Sequence, residues 1–238
     1  MSLNKGISIT YCGHSTFKIA SAHGKAVLID PWLSSNPVCP ENLKKTDRLD
    51  LMLITHGHFD HIADAVDLGT RLKPRTLTVY EIGLWLEGKG VPNVTGMGRG
   101  GTVEVDGIRC TLVQAFHSSS IKDGNQVIYG GEPGGFVIQF ENGFTVYHAG
   151  DTNVFGDMKI IADLYAPELV MLPIGDLYTM SPREASYAAR MLKAKYIVPI
   201  HYGTSPQLAG TPEMLREELT SRKVTAEVIA LRPGESLT

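Results

Sequence analysis

The stretch Leu49-Asp50-Leu51-Met52-Leu53-Ile54-Thr55-His56-Gly57-His58-Phe59-Asp60-His61 (LDLMLITHGHFDH) decides how the rest of the chain is read. Its first seven residues form a nearly continuous apolar run, as in a strand covered on both faces. The next six hold three of the chain's eight histidines and an aspartate. Imidazole nitrogen and carboxylate oxygen suit zinc and similar first-row divalent metals. A strand end is a rigid place from which to aim such groups. Gly57 is expected to let the backbone turn sharply between two imidazoles that converge on one ion. Asp60 and His61 then open a helix and can face a second ion nearby. A polar turn that merely contained histidines would bury unpaired imidazoles and a carboxylate at a desolvation cost that nothing offsets.

On the N-terminal side of this stretch, 7–11 and 25–29 read as strands, the second closed by Asp30-Pro31. On its C-terminal side, 62–72 spaces its apolar residues for a helix, 76–80 is a strand, and 82–87 is a short helix ended by Gly88. Two hairpins follow, each with a turn pair between strands: Asp106-Gly107 between 102–105 and 108–116, and Asn142-Gly143 between 136–140 and 145–147. The last third alternates. Helices are expected at 158–165, 182–192 and 212–220, and strands at 169–172, 196–200 and 226–231. Ser181-Pro182 and Thr211-Pro212 supply cap-then-proline starts. Two sheets packed face to face with helices outside satisfy every apolar face. The expected fold class is α/β (α+β), a four-layer αββα sandwich, in a single domain over 1–238.

The chain has 238 residues, 43% of them hydrophobic, and a net charge of −3, with a pI near 6.2. That length suits one compact domain. The charge lacks the basic footprint of a nucleic-acid binder, so no nucleic-acid partner is expected. Cys12, Cys39 and Cys110 form no CxxC pair, which fits a reducing, cytoplasmic compartment. The opening MSLNKGISIT carries no apolar signal core, and Met1-Ser2-Leu3 is given no function. The apolar stretches are strand-sized, so no transmembrane helix is expected.

The pattern H-x-H-x-D-H resembles the signature of the metallo-β-lactamase superfamily. That resemblance implies three further ligands in order: a strand-end His, an Asp after a strand and a His after a later strand. His117 in AFHSS (115–119), Asp151 in HAGDT (148–152) and His201 in PIHYG (199–203) fill these places. By the same resemblance His56, His58 and His117 form one metal site, Asp60, His61 and His201 the other, and Asp151 bridges both. A closer likeness rests on YCGHSTF (11–17), LIDPWL (28–33), QAFHSS (114–119), YHAGDT (147–152), LPIGD (172–176) and PIHYG (199–203). These segments are similar to short bacterial and archaeal metal-dependent hydrolases. That branch is related to L-ascorbate-6-phosphate lactonase and, more distantly, to the phospholipase D that cleaves N-acylphosphatidylethanolamine.

The implied function is a metal-dependent hydrolase. A hydroxide bridging two divalent ions would attack a small ester, lactone or phosphodiester, with Asp60 orienting it. Zinc is the first expectation, and the donor set also accepts manganese or iron. His14 and His148 are candidates for acting on the substrate or its leaving group, against the plainer reading of each as a hydrogen-bonded structural histidine. Asp30 is a candidate outer carboxylate for orienting a ligand histidine, and Asp176 and Tyr178 are candidate pocket residues. His23 reads as a solvated turn residue and Cys12 as a small buried side chain. GMGRGG (96–101) lacks the Lys-Ser/Thr ending and following helix of a phosphate loop and reads as a turn, as does EPGG (132–135). Two alternatives compete. A mono-iron redox enzyme of the same fold fits the ligands, although the di-iron type carries an acidic residue where this chain has His58. A non-catalytic metal-binding module is opposed by the retention of all seven ligand positions. The expected partner is a small molecule, and homo-oligomerisation is left open.

Overall fold

The computed structural model describes residues 6–238; the first five residues, with the Met-Ser-Leu opening, lie outside the described residues. The first half runs β1 (Ser8–Gly13), β2 (Thr16–Ala20), β3 (Ala26–Ile29), α1 (Glu41–Lys44), β4 (Leu51–Ile54), α2 (Phe59–Ile62), α3 (Ala65–Leu72), β5 (Arg75–Val79), α4 (Tyr80–Gly88) and β6 (Val94–Met97). The second half runs β7 (Thr102–Val105), β8 (Ile108–Gln114), β9 (Ser120–Asp123), β10 (Gln126–Tyr129), β11 (Gly134–Gln139), β12 (Thr145–His148), α5 (Met158–Tyr165), β13 (Leu169–Pro173), α6 (Pro182–Met191), β14 (Tyr196–Ile200), α7 (Pro212–Ser221), β15 (Glu227–Val228) and β16 (Ser236–Leu237).

Among the described residues these strands make two seven-stranded mixed sheets, ordered β16-β1-β2-β3-β4-β5-β6 and β15-β14-β13-β12-β11-β8-β7, and a separate β9–β10 ribbon. The period of two along the second sheet shows how the layers stack. Leu112, Phe136, Ile138, Val146, Leu169, Met171 and Val198 pack with the first sheet into one core. Their alternates Val113, Val137, Tyr147, Val170, Leu172 and Ile197 form a second core with residues of α5, α6 and α7. Residues of α3 and α4 join the first core from the other side. The expected αββα sandwich is the observed architecture.

Strands β3 to β6 pair in parallel, as do β12 to β15. Open parallel sheets place ligands beyond the carboxyl ends of their strands. Four such ends converge here: Asp30 follows β3, His56 follows β4, Asp151 follows β12 and His201 follows β14.

Several sequence expectations change. The helix expected over 62–72 is split into α2 and α3, and begins at Phe59. Asp64 sits at the break, its N–H donating to Pro31 O while its carboxylate accepts from the N–H groups of Leu33 and Ser34. The final strand expected over 226–231 shortens to β15, and the sheet edge at β1 is closed instead by β16. β2, β6 and the β9–β10 ribbon were not expected. Gly57 does not have a positive φ. A Cβ there would stand 2.8 Å from Ile121 Cγ1, so close approach of β9 is what requires glycine.

Candidate metal centre

The centre begins with Asp30, a fully buried carboxylate in the left-handed region at φ 49°. Its Oδ1 accepts from Thr55 N at 2.8 Å. Its Oδ2 accepts from Thr55 Oγ1 and from His61 Nδ1, both at 2.8 Å. The Thr55 hydroxyl, having donated its proton, accepts from His56 Nδ1 at 3.0 Å. One carboxylate therefore orients two rings: His56 and His61 both engage Nδ1 on the Asp30–Thr55 pair and turn Nε2 inward.

His56 Nε2 meets His58 Nδ1 at 3.1 Å, and His117 Nε2 meets the same His58 Nδ1 at 3.2 Å. Ser118 Oγ lies 3.4 Å from His58 Nε2, which leaves Nδ1 as the inward atom. A ring nitrogen has one in-plane lone pair or one proton, so a single proton cannot satisfy all three nitrogens. Burial pushes His56 well below the ordinary imidazole pKa, aided by the neighbouring His61, and also lowers His58 and His117. Three neutral imidazoles thus present lone pairs to one point. Tetrahedral zinc with its usual nitrogen distances spaces two ligand nitrogens about 3.3–3.4 Å apart, close to the spacing found.

Asp151 lies at the middle. Its Oδ2 is 3.0 Å from His201 Nε2, 3.7 Å from His117 Nε2 and 3.8 Å from His56 Nε2, and its Oδ1 is 3.4 Å from His61 Nε2. Burial opposes its ionisation, but His201 and His61 outweigh that and hold it well below the usual carboxylate range. For His61 burial is likewise outweighed, by Asp151 and Asp30, and its pKa is raised. Asp60, His61, His201 and His14 form a further group whose ligand-type atoms lie within 4.8 Å of one another. Three buried atoms at the centre, His61 Nε2, Asp151 Oδ1 and His201 Nδ1, have no hydrogen-bond partner. An unsatisfied buried polar atom costs about 1–3 kcal/mol. A cation between His61 Nε2 and Asp151 Oδ1 would satisfy both, so the donor set fits divalent metal.

His14 stands behind Asp60. Its Nε2–H donates to Asp60 Oδ2 at 3.0 Å, and its Nδ1 accepts from Thr204 Oγ1 at 2.9 Å. Burial, against the opposing hydrogen bond to Asp60, brings its pKa down to about 4. Burial raises and His14 and His61 more strongly lower the pKa of Asp60, which stays ionised. A cavity of about 340 Å³ opens over the centre. His58, Asp60, His117, Asp151 and His201 reach its surface, and Phe59, Ser118, Ser120, Lys122 and Tyr178 wall it.

Residues 25–202 match the β-lactamase superfamily domain. The chain belongs to that superfamily. A metal-dependent hydrolase of the UPF0173 family from Koribacter versatilis is 50% identical over 98% of both chains. A metallo-hydrolase from Ignicoccus hospitalis, Igni18, matches in structure with a TM-score of 0.83 and 35% identity over 97% of each chain. CmlA, a diiron β-hydroxylase from Streptomyces venezuelae, shares the fold at a TM-score of 0.73 and 18% identity, covering 98% of this chain and 54% of that one.

Within this β-lactamase superfamily member the remaining sequence candidates fall differently. Asp30 stands where an outer carboxylate was expected, bonded to His61. His148 does not reach the cavity. Its Nε2–H donates to Ser15 O at 2.9 Å and its Nδ1 accepts from Gly150 N at 3.1 Å, so both nitrogens are spent on backbone and it has no proton for a substrate. These bonds tie Ser15 to the turn that leads to Asp151. Both ring nitrogens of His14 are likewise engaged, with Asp60 and Thr204. Tyr178 walls the cavity, whereas Asp176 does not; at φ 67° it shapes the turn, its Oδ1 accepting from Leu177 N. The EPGG turn is not at this cavity's rim. Sequence reasoning missed Thr55, Thr204 and Lys122. Gly124-Asn125 is the turn pair that would have revealed the ribbon carrying Lys122.

Proposed function

We propose that this protein is a hydrolase holding two divalent cations, acting on a small ester, lactone or phosphodiester. His56, His58 and His117 would hold one ion, Asp60, His61 and His201 the other, and Asp151 both. Zinc is the first candidate, with manganese or iron compatible with the same donors. The observation that carries the reading is the set of three neutral imidazole nitrogens meeting at 3.1–3.2 Å beside a buried carboxylate shared by four histidines. When bound, such ions acidify a water ligand and polarise a carbonyl or phosphoryl oxygen.

The chain's own residues do the rest. Asp30 and Thr55 orient the rings of His61 and His56. His14 anchors Oδ2 of Asp60, leaving Oδ1 to accept a hydrogen bond from an attacking water at the cavity floor. His58 and His117, neutral at pH 7, remain available as donors of lone pairs. The likeness of scattered segments to L-ascorbate-6-phosphate lactonase supports testing lactones first. A single domain over 1–238 and a cytoplasmic setting, where the three cysteines stay reduced, complete the reading; no described helix is long and apolar enough to cross a membrane.

Elemental analysis matched to a screen of lactones, phosphodiesters, thioesters and β-lactams tests it. Two ions per chain and metal-dependent hydrolysis are expected, with Asp151→Asn losing both. One ion or none after incubation with excess zinc or manganese would overturn the binuclear reading. Iron as the sole metal, with oxygen consumed, would move the protein to the redox class.

A further inference from the structure

Lys122 lies on β9, in the ribbon that belongs to neither large sheet, and walls the cavity over the centre. Among the described residues no acidic group pairs with it. Its neighbour Asp123 is spent on Lys89 Nζ at 2.7 Å and Trp85 Nε1 at 3.1 Å. The carboxylates in the cavity, Asp60 and Asp151, are held by His14 and His201. Lys122 therefore stands at the cavity wall without a fixed counter-charge, free to meet an anion that enters.

Beside Ser118 and Ser120, two aromatic side chains complete the wall. Phe59 is 63% and Tyr178 60% exposed, although both border the cavity. The ring of the first and the backbone of the second are held. The Phe59 ring meets Trp32 edge-on with centroids 5.7 Å apart. Tyr178 closes a turn in which Asp176 and Leu177 both have positive φ, and its N–H donates to Asp176 O. Two aromatic faces with one unpaired cation form a recognition surface for a small molecule, and the volume of about 340 Å³ falls in the range of such sites.

We infer that Lys122 with Phe59 and Tyr178 forms a substrate-recognition subsite for a compound carrying both an anionic group and an apolar, aryl-sized group. The inference rests on the hydrolase reading and narrows its substrate class. Lys122 neutralises the anion, and the aromatic faces cover the apolar group. Lys122 is a specificity residue: it takes no part in holding metal.

Calorimetric titration of the protein as purified, with its metal content measured, tests this with phenylphosphonate, methylphosphonate and benzyl alcohol. Phenylphosphonate is expected to bind at least about tenfold more tightly than methylphosphonate, from burial of the ring. Lys122→Ala should weaken both phosphonates by about tenfold and flatten the salt dependence of binding, with benzyl alcohol unaffected. Lys122→Arg should restore affinity, and Tyr178→Ala should narrow the gap between the two phosphonates. Equal binding of the two phosphonates, native affinity in Lys122→Ala, or no binding at millimolar concentration overturns the inference. Full metal content and hydrolysis alongside such a result remove this inference alone. A protein that takes up no metal removes the hydrolase reading with it.

Discussion

His14 donates to Asp60 and accepts from Thr204, and its backbone oxygen accepts from His201 N at 2.8 Å. Removing its ring frees Asp60 without removing a proposed ligand. His14→Ala is therefore expected to weaken metal retention by about 10–100-fold and to slow hydrolysis with it, whereas Asp60→Ala should lose one ion outright. Metal content after dialysis, measured with the rate, checks this; native values in both for His14→Ala would remove the positioning role. Away from the centre, Glu141 is a half-buried residue, with Oε1 accepting from Ser21 Oγ at 2.5 Å and from His23 N at 2.7 Å. Burial raises its pKa, but the hydrogen bond from Ser21 and the backbone donors outweigh it and the net shift is downward. A depressed folded pKa gives stability that is present above the unfolded value, about 4.3, and is lost as pH falls through the folded value. Glu141→Gln should cost about 1 kcal/mol at pH 7, and its urea midpoint should converge on the wild type's below about pH 4. An unchanging gap down to pH 3 would show that the charge is not what matters. At this scale the ligand types and their order were legible in the sequence, because HGHFDH is local. The hydrogen bonds that engage His14 and the Nε2 of His148 were not, since their partners lie 46, 190 and 133 residues away.

Among the elements, α6 shows the closest agreement between local sequence and structure. Ser181 Oγ accepts from Glu184 N at 3.3 Å, and Glu184 Oε2 accepts from Ser181 N at 2.8 Å, a capping box followed by Pro182 at the first turn. Ser181→Ala should cost about 1 kcal/mol, lowering the melting temperature by about 2–4 °C with no change in metal content. A melting temperature unchanged within error would show that Pro182 and the apolar face of α6 suffice. Helices with caps and a periodic apolar face could be read, and α5 and β14 match their expected bounds. The ribbon and β2 do carry local signals: Gly124-Asn125 marks the ribbon's turn, and Phe17 and Ile19 alternate with Lys18 along β2. β16 carries no such signal, because two residues become a strand only by pairing with β1.

For the whole molecule, the proposed ligands come from both sheets: His56, Asp60 and His61 follow β4 of the first, and His117, Asp151 and His201 follow strands of the second. A bound cation then ties the two sheets together, and it stabilises the folded state by mass action, about 2.7 kcal/mol at a free concentration a hundred times its dissociation constant. Chelation should lower the melting temperature by several degrees, and readdition of metal should restore it. Identical melting curves with and without chelator would mean that packing alone preforms the centre. The sequence by itself determined the sandwich, because alternating apolar periods leave faces that only stacked layers can bury, and it determined the donor types, because the key cluster is contiguous. The tertiary structure decided which histidines are free to present a lone pair and which are consumed. It also decided that Gly57 answers to the approach of β9, and that an unpaired Lys122 shares a cavity with the carboxylates. Those outcomes depend on distances between residues remote in the chain, which close packing sets and no local pattern encodes.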